Sequence, residues 1–295
     1  MGSEVKGSEV CGDREALVSG YENLREGPLV SVIIPTKGES ESTLRSCLTS
    51  LLRQSIPKEL YEVIVVDYKP DGKSELEGVI GEFKERGLNV KLITIREEGI
   101  GKARNLGVRH SSRAVKYLVF MGADDRLAID FLEGTLKAFS SNPYLAAIRY
   151  KVKPVTRYLK GFRGLLVRLM EEINVNLLPK FLINYLKLYY LPGWLFSCRK
   201  DIFEIIGGFS EEYNVGEDTD VGLKIRKYGI KLLKEGNREV PVVRFLGGRY
   251  WGEIGSKGLW RGILGYLACY VTYWAEEFRK LLTGKRVWRV HTVRL

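Results

Sequence analysis

LVSVIIPTKGESESTLRSCLTSLLRQSIPKELYEVIVVD, residues 29–67, places two short apolar runs on either side of a helical stripe. Leu29–Pro35 is rich in β-branched residues and reads as a buried strand, and Tyr61–Asp67 reads as a second. Between them Leu44, Cys47, Leu48, Leu51 and Leu52 follow the i, i+3, i+4, i+7, i+8 spacing of one helix face. The alternation continues downstream. Ser74–Glu77 has the form of a capping box ahead of Val79, Ile80 and Phe83. Val90–Ile95 is a third strand, Gly101–His110 a helix and Lys116–Met121 a fourth strand. Ile129, Leu132, Leu136 and Phe139 stripe a further helix, and Leu145–Val152 is expected as a fifth strand. Strands and helices alternating through short connections predict an α/β fold, with a mostly parallel sheet flanked by helices, over residues 29–152.

The whole chain has 295 residues, 45% of them hydrophobic, and a mean hydropathy of −0.12. That suffices for one large α/β domain with additions and excludes disorder as the main state. The longest stretch without a charged residue, Gly262–Ala275, has fourteen residues. A spanning helix needs roughly 20, so no transmembrane span is expected. The polar, acidic N-terminus predicts no signal peptide. Cys11, Cys47, Cys198 and Cys269 lie far apart, favouring neither a disulfide framework nor a cysteine zinc site. Together these features predict a cytoplasmic protein. A single glutamine, Gln54, and three methionines beside abundant Lys, Arg and Glu fit a thermophile's avoidance of labile side chains.

The net charge of +11 is unevenly spread. Residues 1–27 carry a net −3, whereas residues 151–200 hold ten bases against Glu171 and Glu172. The last seventeen residues add six bases and no acid. Such a region implies an anionic partner (nucleic acid, nucleotide phosphates or a membrane surface) or a solvated face that keeps the chain soluble. Residues 1–28, which open with a GSEV repeat, read as a flexible arm. Residues 29–245 read as the main domain, 155–198 being a basic, aromatic, helical insertion, and 246–295 as an amphipathic helix with a basic tail.

In open parallel sheets ligands bind beyond the carboxyl ends of the strands. The first strand runs into Pro35-Thr36-Lys37-Gly38-Glu39, the second ends at Asp67, and the fourth runs into Gly122-Ala123-Asp124-Asp125. The Asp124-Asp125 pair suits either a hard divalent cation or a helix N-cap. Gly99-Ile-Gly101-Lys-Ala-Arg104 superficially suggests a dinucleotide fingerprint, but Arg104 replaces the third glycine and the loop follows the third strand. A helix start bearing Lys102 and Arg104 still suits a phosphate. Glu217-Asp218-Thr219-Asp220 opens a short helix, where acids serve either the helix dipole or general-base chemistry.

VSVIIPT (30–36), CLTSLLRQS (47–55), EVIVVD (62–67), Gly101-Lys-Ala-Arg104-Asn105-Leu-Gly107, YLVFMGADDRLAIDFLEGTL (117–136) and GGFSEEYNVGEDTD (207–220) occur in one order. Together they resemble the family 2 inverting glycosyltransferases over roughly residues 29–235. The resemblance implies a GT-A fold, a Rossmann-like sheet with C-terminal helical additions, and a nucleotide-diphospho-sugar donor, UDP being the common case and GDP-mannose its rival. It further implies that Pro35, Thr36, Glu39, Asp67, Arg104 and Asp124 bind the nucleotide sugar. Asp124, with Asp125, would hold Mg²⁺ or Mn²⁺, and Asp218, beside Glu217, would be the base that deprotonates the acceptor. Two departures stand out. Gly122 occupies the place of the first carboxylate of the family's Asp-x-Asp, which puts the metal requirement in question. Arg244 and Arg249 stand where the family often has a late histidine.

Leu177–Phe196 and Gly258–Phe278 interleave Leu, Tyr and Trp with flanking bases. They suit helices that pack over the sheet or form a dimer contact, or helices lying on an anionic membrane surface at the inner face of the cell membrane. The second case would make a polyprenyl-linked lipid or a growing glycan the acceptor. Competing readings are a catalytically degenerate nucleotide-binding relative and a nucleic-acid-binding protein using the basic 151–200 block. Carboxylates at the strand ends argue against the latter, because they repel phosphate backbones.

Overall fold

The computed structural model describes residues 27–154, 172–184, 195–211 and 217–254, together with Gly161, Leu165, Leu169, Tyr189 and Leu191. Residues 1–26 of the predicted N-terminal arm, and the predicted Gly258–Phe278 helix with its basic tail, lie outside these residues. The first half follows the predicted alternation. Strand β1 (Val30–Thr36) leads to α1 (Glu41–Leu52), β2 (Tyr61–Tyr68), α2 (Glu77–Glu85), β3 (Val90–Ile95), α3 (Ile100–Arg109) and β4 (Tyr117–Met121). Then come the two-residue β5 (Arg126–Leu127), α4 (Phe131–Ser140), β6 (Leu145–Pro154), a π-helical turn Glu172–Leu177, α5 (Leu178–Asn184), β7 (Leu195–Arg199), α6 (Lys200–Ile205), α7 (Glu217–Lys234) and β8 (Val242–Ile254).

The sheet order is β3-β2-β1-β4-β7-β6-β8-β5. Its first four strands are parallel, and β7 runs antiparallel to both neighbours. Strand β6 therefore runs the same way as β4, and β8 lies parallel to β6. Helices α1, α2 and α4 bury Leu44, Leu48, Leu51, Val79, Phe83, Leu132 and Leu136 on one face. Helices α3, α6 and α7 bury Ala103, Val108, Phe203, Val221 and Ile225 on the other. Among the described residues no helix is long and apolar enough to cross a membrane.

Several local expectations are corrected. Leu195–Arg199, at the end of the expected helical insertion, is a strand between β4 and β6, since its buried Leu195, Phe196 and Cys198 fill the sheet core. The main domain does not stop at 245: β8 continues to Ile254, and Lys151–Pro154 pair with Trp251–Ile254. Ser74 is not the N-cap of α2: its hydroxyl donates to Asp67 and accepts from the Leu76 N–H, one residue ahead of the helix, which begins at Glu77 with Leu76 in the N-cap position and no side-chain cap bond. Ile129 precedes α4 and is exposed, so Phe131 takes its place in the buried stripe. The helix opened by Glu217 is eighteen residues long, not short.

Helix α7 is seated by a missing side chain. A Cβ on Gly222 would lie 1.6 Å from the carbonyl oxygen of Tyr189. Backbone and helix therefore touch directly there. Gly222→Ala should lower stability by about 3 kcal/mol or more, the upper end for overpacking a rigid contact. Thermal unfolding of the variant checks this, and an unchanged midpoint contradicts the contact.

Candidate active site

Strand order reverses on either side of β1, with β2 and β3 to one side and β4 to the other, which opens a crevice at the carboxyl ends of β1 and β4. Pairing of β1 with β4 stops at Ile33, so Pro35, which has no N–H, lies beyond that ladder. Thr36 is the register partner of Asp67 across β1 and β2. Gly38, at φ +71°, turns the chain back so that Glu39 accepts from the Thr36 hydroxyl at 2.7 Å and from the Lys37 amide. Asp67 is buried and accepts from the Ser74 hydroxyl at 2.6 Å. Burial raises its pKa. The Ser74 bond and Lys69 oppose the rise, and the negative charge of Glu39 adds to it.

Beyond β4, the carboxylate of Asp125 folds back to accept from the Gly122 amide at 2.6 Å. Asp125 is only 2% exposed, and Asp124 is the less buried of the pair. A Cβ at Gly122 would lie 2.8 Å from the Asp125 carboxylate and 3.0 Å from that of Asp124. Glycine at 122 is thus what lets Asp125 close this turn. Neither aspartate caps α4, whose N-cap position is Asp130. No cluster of three metal-ligating side chains occurs among the described residues. Behind the loop the Cys47 thiol is raised well above its ordinary pKa by burial, with Asp125 and Asp124 adding, which leaves it unreactive.

Helix α3 supplies the third wall. Arg104 is 2% exposed, and its guanidinium lies 5.1 Å from the centre of the Phe209 ring. Asn105 holds the same residue by its backbone: it accepts from the Phe209 N–H at 3.0 Å and donates to the Phe209 carbonyl at 2.9 Å. Its amide also donates to Glu211 at 2.9 Å. The Phe209 ring sits among Phe120, Phe196 and Phe203, with centroids 4.9–6.0 Å away. Lys224 ties α7 to this loop, reaching the Gly208 carbonyl at 2.8 Å, Asp220 at 2.8 Å and the Ser210 hydroxyl at 3.0 Å. The backbone places Glu217 and Asp218 in the first turn of α7, while their side chains lie outside the described residues. Arg244 is exposed on β8, and the Arg249 side chain is outside the description.

With this geometry in place, similarity to known proteins becomes informative. The family pattern "Glycosyl transferase family 2" matches residues 31–205. The chain belongs to glycosyl transferase family 2. It is 26% identical over 219 residues to the probable glycosyltransferase YdaM of Bacillus subtilis, covering 70% of this chain and 49% of YdaM. The chain thus spans about half the length of that relative. In fold it is similar to Staphylococcus aureus TarS 1-349 in complex with UDP-GlcNAc, with TM-score 0.56 and 20% identity, covering 78% of this chain and 59% of that one. It is also similar to the mannosyltransferase PcManGT of Pyrobaculum calidifontis in complex with GDP-Man and Mn²⁺, with TM-score 0.58 and 18% identity, covering 91% and 72%. These likenesses show the GT-A fold of family 2.

Asn105, Phe209 and Lys224 escape a sequence reading of sites, although two of them sit inside quoted motifs. Asn105 and Phe209 depend on each other across about a hundred residues of chain, and Lys224 on a loop 14–16 residues before it, and no local pattern shows either. Asn105→Ala should lower stability by about 2–3 kcal/mol, the cost of lost bonds plus unpaired groups on Phe209. Urea unfolding checks this, and a value near zero contradicts the clasp. Asp67 yields a pH prediction. Burial favours its neutral acid in the folded chain, so its contribution is intact below the unfolded pKa and is lost as pH rises through the raised folded value. Asp67→Asn removes this dependence. As pH rises from the ordinary carboxylate pKa through the raised folded value, the wild type should fall progressively behind the variant in unfolding free energy.

Proposed function

We propose that this chain transfers a sugar from a nucleotide-diphospho-sugar, with UDP as the nucleotide, to an acceptor hydroxyl with inversion. The observation that carries the reading is the crevice itself: Thr36 and Asp67 end adjacent strands on one side of the reversal, and the Asp124 loop stands on the other. The UDP-GlcNAc and GDP-Man complexes of the two fold relatives support it. Pro35, Thr36, Glu39 and Asp67 line the base and ribose, whose N–H and hydroxyl groups the carboxylates accept. Arg104, held over Phe209, anchors the nucleotide's phosphates as a fixed cation.

The residues present fit a divalent cation. Mg²⁺ or Mn²⁺ takes one or two carboxylates together with substrate phosphates and water. Asp124 would supply the protein ligand, and Asp125, bonded to Gly122, would hold the turn that presents it. When bound, the cation stabilises negative charge on the departing diphosphate. Asp218, with Glu217 beside it, removes the proton of the acceptor hydroxyl as that oxygen attacks the anomeric carbon from the face opposite the leaving group. One base suffices, and no covalent intermediate forms. The acceptor hydroxyl belongs to a glycan or a polyprenyl-linked chain.

Asp218→Asn should lower kcat by about 10²–10⁴ while UDP still binds, the range for losing a general base. Calorimetric titration with UDP and GDP, each with and without Mn²⁺, tests the donor side. UDP binding strengthened by Mn²⁺ in the wild type and not in Asp124→Asn is the expected result. Full turnover by Asp218→Asn, or binding of neither nucleotide, overturns the reading, and preference for GDP reassigns the donor.

A further inference from the structure

Leu165, Leu169, Ile173, Leu177 and Phe181 recur every four residues after β6, and all are exposed, between 43% and 58%. Leu165 and Leu169 are helical, Ile173 and Leu177 lie in the π-helical turn, and Phe181 lies in α5. A row spaced by four drifts round an α-helix by about 40° per step. The wider π-helical turn rotates less per residue and takes back part of that drift, which keeps the row on one side.

The opposite side is fixed independently. Asn176 is buried and bonds both backbone groups of Val152, accepting from its N–H and donating to its carbonyl, each at 3.1 Å. Glu172 pairs with Lys151 at 3.0 Å, and Ile183 is fully buried. The outward direction of the apolar row is therefore set by the docking of its neighbours. A surface helix ordinarily turns polar residues outward, and a contiguous apolar row there marks a partner.

We propose that this row seats the protein on an anionic lipid bilayer, its apolar side chains entering the interface while adjacent bases meet the headgroups. Charge selects this occupant. Residues 151–200 carry ten Lys and Arg against two Glu, and Lys180, next to Phe181, is exposed. In the sequence Lys160 and Arg168 directly precede other positions of the same four-residue row. A second copy docked on the row would bring like charges together, because a two-fold contact sets each patch against itself. Val152 lies toward the carboxyl end of β6, which runs the same way as β4. The row thus lies toward the edge of the sheet that carries the Asp124 loop, and a membrane there would bring a lipid-carried acceptor to the crevice. Binding itself does not depend on the transfer reaction.

The test is flotation of the full chain with vesicles of phosphatidylglycerol and, separately, of phosphatidylcholine, with no nucleotide sugar present. The wild type should float with phosphatidylglycerol at low salt and at least tenfold less with phosphatidylcholine or in 1 M NaCl. Leu165→Gln/Leu169→Gln/Phe181→Gln should lose at least tenfold in partition, with an unchanged melting midpoint and an unchanged mass in solution. A wild type that stays at the bottom with phosphatidylglycerol overturns the proposal. So does a triple variant that floats equally well. A lower melting midpoint assigns the row to a contact within the chain, and a lost dimer assigns it to a second copy; either result also overturns it. UDP calorimetry reads the donor site separately, so failure here leaves the transferase reading intact.

Discussion

The clasp between Asn105 and Phe209 is the contact on which the site depends. It joins two parts of the chain that the sheet alone would leave separate: helix α3, which follows the parallel strands, and the loop that leads to α7. The clasp works because α3 lies very close to the sheet. A Cβ on Gly107 would stand 2.6 Å from Ile33 and 3.3 Å from Val66, so only glycine allows this approach. With α3 seated there, Arg104 and Asn105 come to the crevice together. One stacks on the Phe209 ring, and the other fastens the Phe209 backbone. Moving Phe209 would therefore disturb Arg104 and the loop that leads to α7 at once.

The departure at Gly122 has a physical counterpart. In an Asp-x-Asp arrangement a side chain at 122 would occupy the space that the Asp125 carboxylate now takes. The chain has exchanged a carboxylate facing the ligand for an internal bond that closes the turn. The exchange keeps the loop rigid and leaves Asp124 as its single outlying acid.

The parallel half of the fold was legible in the sequence because each of its elements announces itself locally. Leu29–Pro35 and Tyr61–Asp67 are continuous apolar runs, and Leu44–Leu52 keeps a helical period. The second half was not legible, because its order is decided by pairing between distant segments. Leu195–Arg199 resembles the aromatic stretch that precedes it, yet it inserts between β4 and β6. Strand β8 crosses a stretch with two glycines, Gly247 and Gly248, which looks like a boundary in sequence. The Ser74 box failed for a different reason: the helix starts later than the box implies, at Glu77, and the Ser74 oxygen accepts from Leu76 while its hydrogen goes to the buried Asp67. The acids at strand ends were visible as candidates, whereas the clasp that arranges them was not.

The site is also costly to the fold. Asp67 and Arg104 are charged groups almost removed from water, and each needs compensation from its surroundings. The Ser74 hydroxyl donates to Asp67, and burial still raises its pKa. Such a carboxylate gains from any ligand that brings donors to it. The same logic explains why the surrounding core is so apolar. Phe120, Phe196, Phe203 and Phe209 pack together as an aromatic cluster that helps offset the buried charges, and Phe209 carries the Arg104 guanidinium on its ring.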